Sequence, residues 1–316
     1  MTIINISENY LMTCFEIAKK EYLRECERVK ELFEEDYEAE LYERLKIPCI
    51  NGNGFVCIDG NNVCGFIITC INYVGEKIDR VTMPVWGYGI EHNSRTKIIS
   101  LLFQHLAEKV MSVNTKVLFE VKIYAHDYEI LFCFSLCQFG ILCTDTIKNT
   151  SDDICSDAKV LCRELTKKEI LDRKAELLRL YHLLVKHLQE SPIFYPGNEF
   201  TDDVYMEYIL SDTTRMFAAC DGEAIIGIID SSVDHECFLL NSNDIYNVGD
   251  IYVEKAYRGK MVSELLLQYV NSILREDGVK KIWVEHGTAN PNARGFWDKY
   301  LKNYTYTLVR DIRKQV

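Results

Sequence analysis

The chain has 316 residues, with 36 Lys and Arg against 48 Asp and Glu, which gives a formal net charge of −12. Hydrophobic residues make up 48% of the sequence, a fraction typical of folded proteins that excludes a disordered chain. The negative charge disfavours binding to nucleic acid or to anionic membranes, so we expect neither partner. An anionic ligand would need a local basic site.

The N-terminal residues and the cysteines predict a cellular location. The chain does not begin with a basic leader followed by an apolar stretch, and it contains no long apolar run, which predicts a cytoplasmic protein. The 13 cysteines are unevenly spread and form no C-x-x-C pair. We therefore expect free thiols and no metal site.

The first half of the chain shows alternating helical and strand patterns. The predicted elements are helical segments within 10–44, a hairpin at 54–68 with Asp59-Gly60 in its turn, a strand at 81–89, an amphipathic helix at 98–110, a strand at 117–121, a short helix at 127–136 and a strand at 139–143.

The second half repeats this order of elements. The predicted elements are helices at 167–189 and 203–210, a hairpin at 215–229 with Asp221-Gly222 in its turn, a strand at 247–253, an amphipathic helix at 262–274, a strand at 281–285, a short helix at 292–301 and a last strand at 304–308. A polar stretch at 144–157 without hydrophobic periodicity separates the halves. We predict two duplicated domains of α/β (α+β) class, at 1–150 and 160–316.

One strand-turn-helix segment in the second half carries the features of an anion site. The first N–H groups of a helix have no intrahelical partner and lie at the positive end of its dipole, so they can bind phosphate. Gly259 would let the backbone approach the ligand, and Arg258 and Lys260 supply positive charge. The alternative is an ordinary strand-to-helix turn with solvated basic residues.

This segment resembles the GNAT superfamily of acyl-CoA-dependent acyltransferases. The family signature is Arg or Gln, two residues, Gly, one residue, then Gly or Ala; Arg258 fits it, while Met261 and Ser263 stand where the small residues belong. A second motif, Asn290-Pro291-Asn292-Ala293-Arg294-Gly295-Phe296-Trp297, is similar to the family's motif after its fifth strand. An N-terminal helix signal, with Asn as cap, is the simpler account of Asn290-Pro291.

The resemblance implies two tandem GNAT-like domains, each a mixed, splayed sheet flanked by helices, and an acetyl-CoA (CoA) ligand. It implies that the pantetheine arm pairs with Tyr252 and Val253. It also implies that the backbone of Lys260, Met261, Val262 and Ser263 faces the phosphates, that Asn290 bonds the arm, and that Ala293, Phe296 and Trp297 pack beside it.

The chemistry needs an oxyanion donor, a base and an acid. By resemblance the N–H of Val253 is the oxyanion donor. Asp250, Glu254 and Glu285 are candidate bases, each with solvation at a strand end as the alternative. Tyr300 is a candidate acid, because the family's tyrosine is replaced by Trp297, whose indole N–H is no practical acid.

Two further features of the sequence are His286 and the turn at 91–97 in the first half. His286 is an alternative base, although an exposed loop histidine is the simpler account. In the first half the corresponding turn, 91–97, has no glycine at its helix start, and Asn93 or Ser94 is a helix cap. We therefore expect a degenerate first domain that does not bind CoA.

These features predict an acyltransferase that moves an acetyl group from acetyl-CoA to a primary amine, of a small molecule or a peptide or lysine, by direct attack. The alternative is a non-catalytic acyl-CoA-binding or protein-interaction module, since the motif positions Met261, Ser263 and Trp297 depart from the family. A third reading is an aminoacyl or thiol-acceptor transferase. We expect a monomer or a homodimer.

Overall fold

The computed structural model describes residues 1–74, 77–195, 201–233 and 243–314. The chain divides into two compact units: unit 1 comprises Met1–Thr144 and Asn303–Val316, and unit 2 comprises Asp145–Lys302. In the described part of the chain, no helix combines the length and the apolar character needed to span a bilayer.

The elements of the first half alternate in the predicted order. Its helices are α1 (Leu11–Cys26), α2 (Tyr37–Asn51), α3 (Arg95–Val113) and α4 (Tyr128–Leu136), and its strands are β1 (Thr2–Asn5), β2 (Gly54–Asp59), β3 (Asn62–Ile68), β4 (Cys70–Val74), β5 (Lys77–Met83), β6 (Tyr88–Ile90), β7 (Lys116–Tyr124) and β8 (Gly140–Asn149).

The second half supplies the remaining elements. Its strands are β9 (Leu161–Leu165), β10 (Thr214–Asp221), β11 (Ala224–Ser232), β12 (Ile245–Val248), β13 (Tyr252–Val253), β14 (Lys281–Gly287) and β15 (Lys302–Arg313), and its helices are α5 (Lys167–Asp172), α6 (Lys174–Gln189), α7 (Asp202–Leu210), α8 (Val262–Glu276) and α9 (Pro291–Tyr300).

Unit 1 has antiparallel pairs β1–β2, β2–β3 and β3–β6, and a second run of strands in the order β4-β5-β7-β15. In this second run β5 and β7 are parallel, and β15 is antiparallel to β7. In unit 2 the strands β9, β10, β11 and β12 pair antiparallel in that order, and β12 pairs parallel with β14. The prediction of tandem units with mixed sheets and flanking helices is confirmed.

Helices cover both faces of the sheet in unit 2, because each helix has one apolar face to bury. The apolar face of α8 packs on one side through Leu266, Leu267, Val270 and Leu274. Helices α6 and α7 pack on the other side through Leu180, Tyr181, Tyr205 and Ile209. Tyr252 contributes to the α6 side and Val253 to the α8 side, as the alternation of a strand requires.

The C-terminal strand differs from the sequence prediction. Residues 303–316 were expected in the domain at 160–316, but β15 pairs with β7 and belongs to unit 1. Residues 144–149 were expected in a polar linker and instead extend β8, where Thr146 is fully buried and its hydroxyl donates to the Val284 carbonyl at 3.3 Å. Polar composition was misleading here because these side chains find partners inside the fold.

Other elements were missed or merged by the sequence analysis. The strands β1, β4 and β9 were not predicted, and the helical region at 10–44 is divided between α1 and α2, with α2 extending to Asn51. Each of the strands predicted at 81–89 and 247–253 is interrupted: β5 ends before β6, and β12 ends before β13. These interruptions shape the candidate site.

Candidate functional site

Strands β12 and β14 separate from each other toward the C-terminal end of β12. They pair from Ile245 and Lys281 as far as Asn247 and Trp283. After the break at 249–251, β13 pairs with β11 alone among the described strands, and its register aligns Val253 with Gly227. A wedge therefore opens between β13 and β14.

The backbone groups of Val253 point toward this wedge. The N–H of Glu254 donates to the Ile226 carbonyl at 2.9 Å, so Glu254 belongs to a hydrogen-bonded pair of the β13–β11 ladder. Successive residues of a strand direct their backbone groups to opposite edges. The N–H and C=O of Val253 therefore face away from β11, on the side where β14 has diverged.

The turn before α8 contains two residues in the left-handed region. Gly259 has φ of 74° and Met261 has φ of 58°. Met261 is the N-cap of α8 without a side-chain capping bond, and the first intrahelical bond runs from Leu265 N to Met261 O at 3.0 Å. The N–H groups of Val262, Ser263 and Glu264 thus lie at an uncapped helix start, the arrangement predicted for phosphate binding.

The side chains of the basic pair are not aimed at the helix start. The Nε of Arg258 donates to the Val253 carbonyl at 3.1 Å, and its guanidinium lies 5.2 Å from the centre of the Tyr252 ring. Lys260 lies over the ring of Tyr257. Arg258 therefore fixes the turn against β13.

A cleft of about 460 Å³ lies beside Arg258, between α6 and the segment that follows β13. Arg179, Lys186, Lys255 and Arg258 line it, against the two carboxylates Glu190 and Glu254. The cleft is therefore locally positive although the chain is acidic. The basic residues of α6 were not predicted as part of the site, because only the fold brings them beside Arg258.

The three candidate bases have different surroundings. Asp250 is accessible to solvent, yet protein surrounds it and the resulting desolvation raises the pKa of its carboxyl group. Glu254 forms an ion pair with Arg179 at 2.5 Å. Glu285 is exposed on β14. Of the three, Asp250 lies in the break that creates the wedge and carries no ion pair among the described residues.

The second motif forms a helix start, as its simpler reading predicted. The Asn290 side-chain oxygen accepts from the N–H groups of Asn292 and Ala293 at 3.1 and 3.2 Å. Trp297 is buried in the core, and Phe296 packs against it edge-on. Ala293 packs on the same core. These contacts stabilise α9, and the carboxamide nitrogen of Asn290 is not used in the cap.

Tyr300 is the last residue of α9, and His286 lies on β14, the strand that forms one side of the wedge. The Tyr300 ring packs on Phe296, and Lys299 lies 4.8 Å from its centre. His286 was expected to be an exposed loop residue; it is instead buried on β14, and burial lowers its pKa. The prediction placed this histidine in a loop because the predicted strand ended at Glu285, whereas β14 continues to Gly287.

Unit 1 contains a wedge of the same construction. After β5 the chain breaks and continues as β6, where Ile90 aligns with Gly65 as Val253 aligns with Gly227. Arg95 donates to the Ile90 carbonyl at 2.8 Å, at the same sequence separation of 5 that joins Arg258 to Val253. Ile90 is thus the unit 1 counterpart of Val253.

Side chains of unit 1 fill this wedge. A Glu21 carboxylate oxygen accepts the N–H of Ile90 at 3.1 Å, and Arg95 pairs with Glu21 and Asp127 at 2.7 and 2.5 Å. The Tyr88 hydroxyl donates to Asp127 at 3.2 Å. Helix α3 begins at Arg95 itself, so the turn that precedes α8 in unit 2 has no counterpart, and Ser94 holds the predicted N-cap position without a side-chain capping bond.

Residues 179–301 match the model of the acetyltransferase (GNAT) family. This part of the chain is therefore similar to a GNAT domain. Over 100% of its length the chain is similar in fold to a GCN5-related N-acetyltransferase from Sphaerobacter thermophilus, with 96% of that chain covered, a TM-score of 0.58 and 12% identity.

A second similar structure is a tandem GNAT protein from the clavulanic acid biosynthesis pathway, at 11% identity and a TM-score of 0.48, with 100% of this chain and 99% of that chain covered. A comparison with the curated proteins finds no match. The family resemblance inferred from the two motifs is confirmed, and the matched segment lies within the unit that carries the open wedge.

Proposed function

We propose that the GNAT domain of unit 2 transfers an acetyl group from acetyl-CoA to a primary amine by direct attack. The observation that carries the proposal is the open wedge, where the backbone of Val253 has no strand partner on the side from which β14 has diverged, in the unit whose helix α8 starts uncapped. In unit 1 the corresponding N–H is occupied by a carboxylate of the protein, so the open edge is specific to unit 2.

The residues of unit 2 fit acetyl-CoA. The free N–H groups from Val262 to Glu264 suit a pyrophosphate. Arg258, in the turn that precedes α8, lines a positive cleft that would attract the anionic ligand. The Val253 carbonyl, which accepts a hydrogen bond from the Nε of Arg258, has a second lone pair for an amide N–H of a pantetheine arm. Acetyl-CoA would supply the acetyl group in activated form, as a thioester.

Two groups of the chain would take part in the reaction, one as the hydrogen-bond donor to the oxyanion and one as the base. The N–H of Val253 would donate to the carbonyl oxygen of the acetyl group, where negative charge develops. Asp250 would take one proton from the acceptor, which arrives as an ammonium ion, so that the nitrogen lone pair becomes available. Asp250 is preferred to Glu254, which is neutralised by Arg179.

A non-catalytic acyl-CoA-binding module is the second candidate function. Tyr300 packs on Phe296 and against the core of unit 2, and Trp297 is buried, so neither residue offers an acid near β13 among the described contacts. A module of this kind would bind acetyl-CoA and CoA but acetylate no amine. Both functions therefore include binding of acetyl-CoA, and only the transferase acetylates an amine.

An amine screen separates the two candidates. The protein is mixed with acetyl-CoA and a panel of a polyamine, an amino sugar and a lysine peptide, and thiol release is followed with mass analysis of the products. At least one amine should be acetylated, and Asp250→Asn should lower kcat at least about 100-fold while acetyl-CoA affinity is retained.

The matched controls are Glu254→Gln and Glu285→Gln, which should retain kcat within about tenfold. If acetyl-CoA binds and no amine in the panel is acetylated, the transferase proposal fails and the binding module replaces it. If Asp250→Asn keeps the full rate, acetyl transfer stands but Asp250 is not the base.

A further inference from the structure

A second carboxyl group lies beside Asp250 and was not singled out in the sequence. Asp230, on β11, is fully buried, and its Oδ1 accepts the Tyr208 hydroxyl at 2.9 Å. The N–H of Asp250 also donates to the Asp230 carboxyl group. The other oxygen, Oδ2, is buried without a hydrogen-bond partner, which is a costly state for a carboxylate.

The main chain fits closely around Asp230. The N–H of Gly249 donates to the Asp230 carbonyl at 3.1 Å, and a Cβ on Gly249 would lie 2.5 Å from Asp230 Oδ1. Asp230 therefore accepts hydrogen bonds from two consecutive residues of the break between β12 and β13: Gly249 bonds its carbonyl and Asp250 bonds its carboxyl group. The position of Asp250 depends on these contacts.

The fold itself does not need a carboxyl group here. Counting from the aligned glycines Gly65 and Gly227, unit 1 carries the buried Ile68 at the place of Asp230. Counting from Ile90 and Val253, it carries Gly87 at the place of Asp250. Both carboxyl groups are thus present in the unit with the open wedge and absent from the unit whose wedge is filled.

No cation offsets the charge of this pair among the described residues. Burial, together with the nearby charge of Asp250, raises the pKa of Asp230 well above its usual range. The titratable groups near the pair are Tyr181 of α6 and Tyr205 and Tyr208 of α7. The charge of Asp202 acts on Tyr181 as well. Two close carboxylates without a cation bind one proton more tightly than either would alone.

We infer that Asp230 is a positioning residue for Asp250: it fixes the turn that carries Asp250, and its carboxyl group makes the pair a stronger proton acceptor than a single carboxylate. This inference rests on the proposed function. In the step concerned, one N–H bond of the acceptor's ammonium group breaks, an O–H bond forms on Asp250, and the nitrogen keeps the electron pair needed for attack.

The test is the pH profile of kcat/KM for Asp230→Asn, measured with the same amine as for the natural sequence so that the ionisation of the amine is common to both. Asn keeps the size of the side chain and an oxygen for Tyr208, but removes the second ionisation. The acid limb should move to lower pH by at least about one unit. A lower rate at every pH with an unmoved limb would mean a structural role only and would overturn the inference.

Tyr208→Phe is the second variant, and it acts in the opposite direction. It removes the hydrogen bond that stabilises the charged form of Asp230, so the acid limb should move to higher pH. If Asp230→Asn does not fold, this variant decides: an upward shift supports the inference, and an unmoved limb overturns it.

A readout without turnover separates this inference from the proposed function. Carboxyl ¹³C resonances of aspartate-labelled protein, with the Asp230 signal assigned through Asp230→Asn, report the titration of Asp230 directly. The midpoint of the Asp230 signal should fall in Asp250→Asn, because the charge of Asp250 raises the pKa of Asp230, and an unchanged midpoint overturns the inference. If no amine is acetylated, the proposed function fails and this titration still decides the coupling of the two carboxyl groups.

Discussion

Met261 is the residue at which the chain departs most clearly from the family motif. Its φ of 58° lies in the left-handed region, where a Cβ costs about 1 kcal/mol or more and glycine costs none. The family preference for a small residue there follows from this backbone conformation. The turn keeps its shape with Met261 because the Ser156 hydroxyl donates to the Met261 carbonyl at 2.8 Å.

Met261→Gly should relieve this strain without removing a contact that a ligand would use. We expect equal or tighter binding of acetyl-CoA and a free energy of unfolding that is unchanged or raised by up to about 1 kcal/mol. Titration calorimetry and urea denaturation measure the two quantities. Met261→Ala, which keeps the Cβ, is the control, and an equal gain in both variants would rule out backbone strain as the cause.

Arg258 joins the turn to β13 and lines the positive cleft. Arg258→Glu should weaken acetyl-CoA binding by about 1.5 to 3 kcal/mol, because it reverses a charge in this cleft and removes the bond to the Val253 carbonyl. Arg275→Glu, at the other end of α8, is the matched control and should leave the affinity unchanged. Equal affinities of the two variants for acetyl-CoA would mean that Arg258 holds only the turn.

The break between β12 and β13 is the element that opens the wedge. Gly249→Ala would bring a Cβ to 2.5 Å from Asp230 Oδ1, so we expect a loss of about 1–3 kcal/mol in the free energy of unfolding and a displaced Asp250. Gly295→Ala, in α9, meets no atom within 4 Å and should stabilise the protein by about 0.5–1 kcal/mol. Urea denaturation of the two variants checks the opposite signs; similar changes would contradict the role of Gly249.

The elements with clear hydrophobic periodicity or turn residues were predicted from the sequence. Those that depend on pairing with strands far away in the sequence were missed. The hairpins with Asp59-Gly60 and Asp221-Gly222 and the helices α3 and α8 are local patterns, and all four were found. The breaks at 84–87 and 249–251 were missed, because hydrophobic alternation continues through them and only the pairing with other strands reveals them. Asp230 was missed for the same reason, since it lies in an apolar strand and meets Asp250 only in the fold.

At the scale of the whole molecule, the duplicated halves differ in the contents of the wedge. The ion pairs of Arg95 with Glu21 and Asp127 should contribute to the stability of unit 1, and this contribution can be measured. Arg95→Met leaves Asp127 without its cation and leaves Glu21, which is 3% exposed, with only the exposed Arg24, so the free energy of unfolding should fall by about 3–5 kcal/mol. Arg24→Met removes only the exposed partner of Glu21 and should cost less than about 1 kcal/mol. Similar losses for the two variants in urea denaturation would contradict a buried network.

The central claim is that the chain holds a single acyl-CoA site, formed by the open wedge of unit 2. Titration calorimetry of the full chain with acetyl-CoA tests it most directly. We expect one equivalent bound per chain, with an affinity that falls in Arg258→Glu and does not change in Arg95→Met as long as that variant remains folded. Two equivalents per chain, or no binding at millimolar ligand, would contradict the account.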